Sequence, residues 1–175
     1  MDTQVATTRL VALDFETADE AGHVIEIGCV EIIDGAMTGR SFYRLVNPDV
    51  PLNAFAASIH GINEQMLIGA PDFGSIADDF LGFIGEARII AHYWSFEHRV
   101  LGAELARLGR EAIGRERFIC TCQMARDTRR FSNNKLRTVC KELGISAFGM
   151  REGRHDALHD ARMAAEVFLR LQVAG

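Results

Sequence analysis

The hydrophobic period of this chain changes once, near residue 50, and that change constrains the fold more than any other feature. Before it, apolar and β-branched residues form short extended runs. Residues 9–16 carry the apolar stretch Leu10-Val11-Ala12-Leu13, and residues 24–33 and 41–46 read as two more strands. Asp34-Gly35 supplies the turn between those two, and Asn47-Pro48 closes the third, because the residue before proline is biased away from helix. After it, the spacing is helical. Phe73, Ile76, Ala77, Phe80, Phe83 and Ile84 share one helix face with Asp72 as N-cap. Residues 88–91 and 118–120 are short strand candidates. Between them Ser95 is placed to cap a helix whose inner face is Phe96, Val100, Leu101, Leu105 and Leu108. Helices are expected near 121–129 and 135–143, and a last one carries Ala157, Leu158, Ala161, Ala164, Ala165, Phe168 and Leu169 at helical spacing. Strands first, then strands alternating with helices, predict an α/β fold with a mixed central sheet flanked by helices. No repeat or Pro/Gly-rich linker divides the chain, so residues 1–175 read as a single domain.

Composition excludes several classes. At 48% apolar residues the chain is not intrinsically disordered. No window approaches 18 apolar residues, so no membrane span is expected. Met1-Asp2-Thr3-Gln4 does not open a basic-then-apolar leader, and the four cysteines lack a disulfide or zinc spacing, so a cytoplasmic protein is expected. The net charge of −5 hides an asymmetry: residues 1–87 hold 3 basic and 14 acidic side chains, residues 88–175 hold 16 and 10. Such a split points either to a polyanion site or to a solvated arginine face.

Three segments carry chemistry. Asp14 and Glu16, at i and i+2 on one strand end, project from the same face. They are either solvated acids or ligands of a hard divalent cation, which relieves the repulsion of two close carboxylates. Glu97 falls in the first turn of a helix, where the helix dipole also favours it. His155-Asp156-Ala157-Leu158-His159-Asp160 forms the third. Asp160 sits on or beside the buried face of the last helix and needs a partner there, with His155 in the preceding loop and Asp156 able to act as a cap.

Together, Leu13-Asp14-Phe15-Glu16-Thr17, the segment Ala91-His92-Tyr93-Trp94-Ser95-Phe96-Glu97-His98-Arg99-Val100-Leu101 and His155-x-Ala-x-x-Asp160-Ala161 resemble, in order and spacing, the DEDDh (DnaQ-like) 3′→5′ exonucleases. Leu45-Val46-Asn47-Pro48, Ile59-His60-Gly61-Ile62-Asn63 and Ile119-Cys120-Thr121-Cys122-Gln123-Met124-Ala125-Arg126 extend the likeness, nearest to the exonuclease X branch and to bacterial polymerase proofreading subunits, over about residues 8–171. The resemblance implies an RNase H-like fold and a two-metal phosphodiesterase, with two Mg²⁺ or Mn²⁺ ions about 4 Å apart at the scissile phosphate. It implies Asp14, Glu16, Asp160 and Glu97 as catalytic metal ligands and His155 as general base. It places Phe15, Thr17, His60, Ile62 and Phe96 against the substrate. The chain departs from the family at Glu97, usually Asp, and at Tyr93, usually Asn.

Arg126, Arg129, Arg130, Lys135, Arg137 and Lys141, interleaved with Phe131, are either a solvated face or a track for the phosphates of a single strand. His92 is expected to be structural, and Trp94 to be core or a base-stacking residue. The expected partner is the 3′ end of single-stranded DNA, degraded to mononucleotides. RNA ends are the alternative substrate, and a non-catalytic nucleic-acid-binding module is the rival reading from another class. The absence of a tether segment predicts a free enzyme rather than a dedicated polymerase subunit.

Overall fold

β1 (Arg9–Thr17) lies at the centre of a five-stranded sheet in a computed structural model that describes residues 8–146 and 153–172. β2 (Val24–Ile33) and β3 (Ala36–Leu45) extend it on one side as an antiparallel meander. β4 (Arg88–Ala91) and β5 (Phe118–Cys120) extend it on the other in parallel, giving the order β3-β2-β1-β4-β5. The expected mixed sheet is therefore present. The β2–β3 turn is two residues long, with Asp34 at φ 49° and Gly35 at φ 80°, the twin left-handed conformations of a type I′ hairpin.

Between β3 and β4 run α1 (Ala54–His60), α2 (Glu64–Leu67) and α3 (Phe73–Ile84). α4 (Trp94–Arg107) joins β4 to β5, and α5 (Thr121–Thr128), α6 (Leu136–Glu142) and α7 (Ala157–Gln172) follow. The period of two in β1 sorts its side chains between two cores. Val11, Leu13 and Phe15 join Phe73, Ala77, Phe80, Val100 and Leu101 under α3 and α4. Leu10 and Ala12 join Ala164, Ala165 and Phe168 of α7 on the opposite face. Asp14 and Glu16 continue the even-numbered series, so the same alternation that fills the cores aims both carboxylates at the α7 side. No described helix is long and apolar enough to cross a membrane.

The structure corrects several expectations. Asp72 does cap α3, accepting the Ser75 N–H at 2.8 Å, but Ser95 does not cap α4. That helix begins at Trp94 after Tyr93, which makes no side-chain cap bond, and its first turn is held instead by Glu97 reaching the backbone of β1. Leu108 lies at the helix end and is 38% exposed rather than on the inner face. β3 starts at Ala36, five residues before the expected 41, because its first half is an exposed edge without apolar alternation, held to β2 by its backbone and by polar side chains rather than by an apolar face. Trp94 packs beside His98 and Phe118 against the core.

Candidate active site

Two parallel strands and two helix starts converge on one point. Asp14 and Glu16 stand at the C-terminal end of β1, and the neighbouring β4 feeds directly into α4 and Glu97. Crevices beyond the carboxyl ends of parallel strands are where open α/β sheets place ligands. The Glu97 Oε2 accepts the backbone N–H of Phe15 at 3.1 Å, which fixes the longer glutamate side chain between the two β1 acids. From the far side α7 brings Asp160 in its first turn, and the loop before it brings His155.

His155 Nδ1 lies 2.9 Å from Asp160 Oδ2 and 3.9 Å from Glu16 Oε1. Ligand atoms of Glu16, His155 and Asp160 all fall within 4.8 Å of one another. Burial, and then the charges of Glu97, Asp160, Glu16 and Glu26, hold the Asp14 carboxyl well above its usual range. Burial and the charge of Glu16 do the same to Glu97, opposed by the Phe15 N–H. The hydrogen bond to Asp160 pushes His155 above its ordinary value, although partial burial pulls it down. The other oxygen of Asp160, Oδ1, is buried with no hydrogen-bond partner among the described residues, a costly state for an anionic atom in a folded protein. An all-oxygen set of four clustered carboxylates with one orphaned buried oxygen fits a hard divalent cation.

Asp14, Glu16, Glu97 and His155 line a cleft of about 550 Å³, with Asp160 behind His155. Of the residues expected against the substrate, Thr17, His60, Phe96 and Phe15 line it. The Phe15 ring packs at a tilt against Phe80 in the core, with 5.8 Å between centroids, so its contribution to the cleft is largely backbone. Ile62 is not there: it is 1% exposed and packs with Ala18, Ile25 and Leu67 in a separate core cluster. The side chain faces inward because the chain turns at Gly61, the left-handed cap of α1, and Ile62 donates its N–H to His60 Nδ1.

Several cleft residues were given no role at the site from the sequence, among them Phe55, Ile59, Tyr93 and Arg99. Phe55 and Ile59 are one turn apart on α1, and 76% of Phe55 is exposed. Their i, i+4 spacing after Asn53 was the available signal, but a seven-residue helix shows too little period to be read. His92 is structural as expected, bridging the Thr121 hydroxyl at 2.9 Å and the Asn134 carbonyl at 2.8 Å. The basic residues 126, 129, 130, 135, 137 and 141 are all exposed. Arg137 among them donates to the Gly153 carbonyl, two residues before His155.

An exonuclease family model matches residues 11–168. DNA polymerase III subunit epsilon of Rickettsia felis is 36% identical over 176 residues, spanning 95% of this chain and 75% of the relative. The Salmonella typhimurium subunit of the same name is 32% identical over 176 residues, 94% of this chain and 71% of the relative. Among solved structures, exonuclease X in complex with 5′ overhanging duplex DNA superposes with a TM-score of 0.75 at 26% identity, over 95% of this chain and 92% of the other. The nuclease domain of 3′hExo, a DEDDh family member bound to rAMP, shares the fold at a TM-score of 0.80 and 18% identity, over 98% and 94% of the two chains.

Proposed function

This chain belongs to the exonuclease family, in its DEDDh (DnaQ-like) group, and we propose that it removes mononucleotides from the 3′ ends of single-stranded DNA. The reading assigns two Mg²⁺ or Mn²⁺ ions to Asp14, Glu16, Asp160 and Glu97. The observation that carries it is the convergence of Asp14, Glu16, Glu97 and His155 on one cleft, with Asp160 directly behind His155 and its Oδ1 buried and without a hydrogen-bond partner among the described residues. Bound there, divalent cations supply Lewis-acid stabilisation of the charge that develops on the phosphoryl oxygens.

The chain's own residues do the rest. With Nδ1 hydrogen-bonded to Asp160, the neutral His155 ring carries its proton on Nδ1 and offers Nε2 to the attacking water. Asp160 orients the ring and stabilises the imidazolium that forms, as a carboxylate does behind a catalytic histidine. Phe55, Ile59, Tyr93 and Phe96 give the terminal bases an apolar wall, on which stacking tolerates any sequence. The exposed arginines and lysines between 126 and 141 supply phosphate contacts farther along the strand. DNA is favoured over RNA because relatives above 25% identity include proteins named for a DNA polymerase and an exonuclease in complex with DNA. Those names also support a second reading, in which the same cleft edits for a polymerase partner.

The test uses the full chain with 5′-labelled single-stranded DNA or RNA, in Mg²⁺, Mn²⁺ or EDTA, beside Asp14→Asn. Laddering of DNA from the 3′ end, dependent on metal and lost in the variant, is expected. Binding of DNA without degradation in either metal would leave a nucleic-acid-binding module, and faster loss of RNA would reassign the substrate. Co-elution with a polymerase III catalytic subunit on gel filtration would establish the second reading.

A further inference from the structure

β2 carries a fifth carboxylate that the reaction does not use. Glu26 is 0% exposed and lies directly opposite Glu16 in the β1–β2 register, while Gly28 lies opposite Asp14. Side chains at i and i+2 share a face, so Glu26 and Gly28 both meet α7. Each does something specific to the start of that helix. A Cβ at Gly28 would overlap the backbone of Ala157 and Leu158, so the helix start rests on bare β2 backbone beside Asp14. Glu26 Oε2 accepts the N–H of Ala157, the first residue of α7, at 3.1 Å. Its Oε1 accepts the Tyr43 hydroxyl from β3 at 2.7 Å.

The first N–H groups of a helix have no partner within the helix. Here one of them is taken by a carboxylate 131 residues away in sequence, fixed in turn by a tyrosine on the third strand. His155 lies two residues before Ala157 and Asp160 three residues after it. The bond therefore joins the helix that brings His155 and Asp160 to the strand register that brings Asp14 and Glu16. A burial of this kind is expensive for a carboxylate and is retained where geometry depends on it.

We propose that Glu26 is a positioning residue, setting the distance between the β1 carboxylates and the His155–Asp160 pair by capping α7 from the neighbouring strand. This rests on the function proposed above for the cleft, but its test also reads the cleft without turnover. Mn²⁺ alone is titrated by calorimetry into wild type, Glu26→Ala, Glu26→Gln and Tyr43→Phe, and kcat and KM on single-stranded DNA are measured for each. Loss of a partner that orients a ligand weakens metal binding or activity by about 10–100-fold. Glu26→Ala is accordingly expected to weaken Mn²⁺ binding and lower kcat by about tenfold or more, with KM within about twofold. Glu26→Gln keeps an acceptor for Ala157 and a donor for Tyr43, and is expected to recover both to within about threefold.

Tyr43→Phe removes one hydroxyl and keeps the fold, so it decides the matter if Glu26→Ala does not fold; a loss of several-fold in kcat and in Mn²⁺ affinity is expected. Equal Mn²⁺ affinity and kcat in wild type and Glu26→Ala would overturn the proposal, as would a Glu26→Gln as impaired as Glu26→Ala, which would make charge rather than placement the relevant property. Unchanged values in Tyr43→Phe, should Glu26→Ala fail to fold, would overturn it too. If wild type degrades no nucleic acid yet the Mn²⁺ affinities rank as expected, the function fails and the positioning role stands.

Discussion

His155 and Asp14 show how single residues at the cleft floor are worth different things in different states. The His155 ring lies 2.9 Å from Asp160 and 3.9 Å from Glu16, and its removal takes away none of the carboxylates. His155→Ala is expected to lower kcat by roughly 10²–10⁴-fold, the usual span for a general base, while a fluorescence-anisotropy Kd for single-stranded DNA stays within about twofold. A matching loss in Kd would show that the ring binds rather than abstracts. Asp14 is the opposite case. Burial and four neighbouring acids raise its carboxyl, and a raised carboxyl costs stability at any pH above its unfolded value. In EDTA at pH 7.5, Asp14→Asn is therefore expected to melt about 2–4 °C above wild type, the shift that roughly 1 kcal/mol produces at this size. Mn²⁺ should raise the wild-type Tm and leave that of the variant nearly unchanged. A variant that melts lower than wild type in EDTA would contradict the repulsion.

At the scale of elements, the decisive contact is α7 on β2. α7 presents Ala157, Ala161, Ala164 and Ala165, all buried, to the sheet. Small side chains let the helix approach closely, and at Gly28 the strand gives up its own side chain to admit it. The backbone of Gly28 is not in the left-handed region, so space and not φ requires the glycine there. Gly28→Ala is expected to cost about 2–3 kcal/mol by urea unfolding, the upper part of the range for overpacking, because the clashing partner is helix backbone rather than a yielding side chain. The same variant is expected to lose activity out of proportion to stability, since the displaced turn carries Asp160 and follows His155. Unfolding unchanged to within about 0.5 kcal/mol would mean the helix start yields freely.

Across the whole molecule, the sheet is fastened near the end away from the cleft by Glu31. Its side chain is 1% exposed, and it accepts Arg9 Nε at 2.8 Å, Arg40 at 2.9 Å and the Thr38 hydroxyl at 2.9 Å, tying β2 to β1 and β3. Arg9 continues the chain of contacts to the α3 end, donating to the Ile84 carbonyl at 2.8 Å. Burial pushes the Glu31 carboxyl up, but the bonds from Arg9 and Thr38 and the charge of Arg40 outweigh it, so the net shift is below the ordinary 4.5. A lowered carboxyl contributes stability that is present above its unfolded value and lost as pH falls through its folded one. Glu31→Gln is thus expected to cost about 1–3 kcal/mol at pH 7. The gap to wild type should narrow as urea midpoints are followed down through the carboxylate range, with kcat unaffected. A gap independent of pH would mean that shape, not charge, fastens the sheet.

Much of this was written locally. The apolar runs at β1, β2, β4 and β5, the period of α3 and α7, the Asp72 cap and the Asp34-Gly35 turn follow from propensities and spacings within a few residues. The acids and His155 were marked by their residue types and by the family pattern they share. Tertiary structure decided what depends on distant partners. Ser95 yielded to a helix start set by Glu97 on Phe15, 82 residues apart. Ile62, beside His60 in sequence, went into a core cluster, while Phe55 and Ile59 reached the cleft from a helix too short to announce itself. Why position 28 is glycine and why position 26 is a buried acid became visible only when Ala157 was seen against β2. The physical reason is range: backbone propensity and hydrophobic period act over a turn or a strand, whereas burial, repulsion between carboxylates and the docking of a helix start are set by which strands lie side by side.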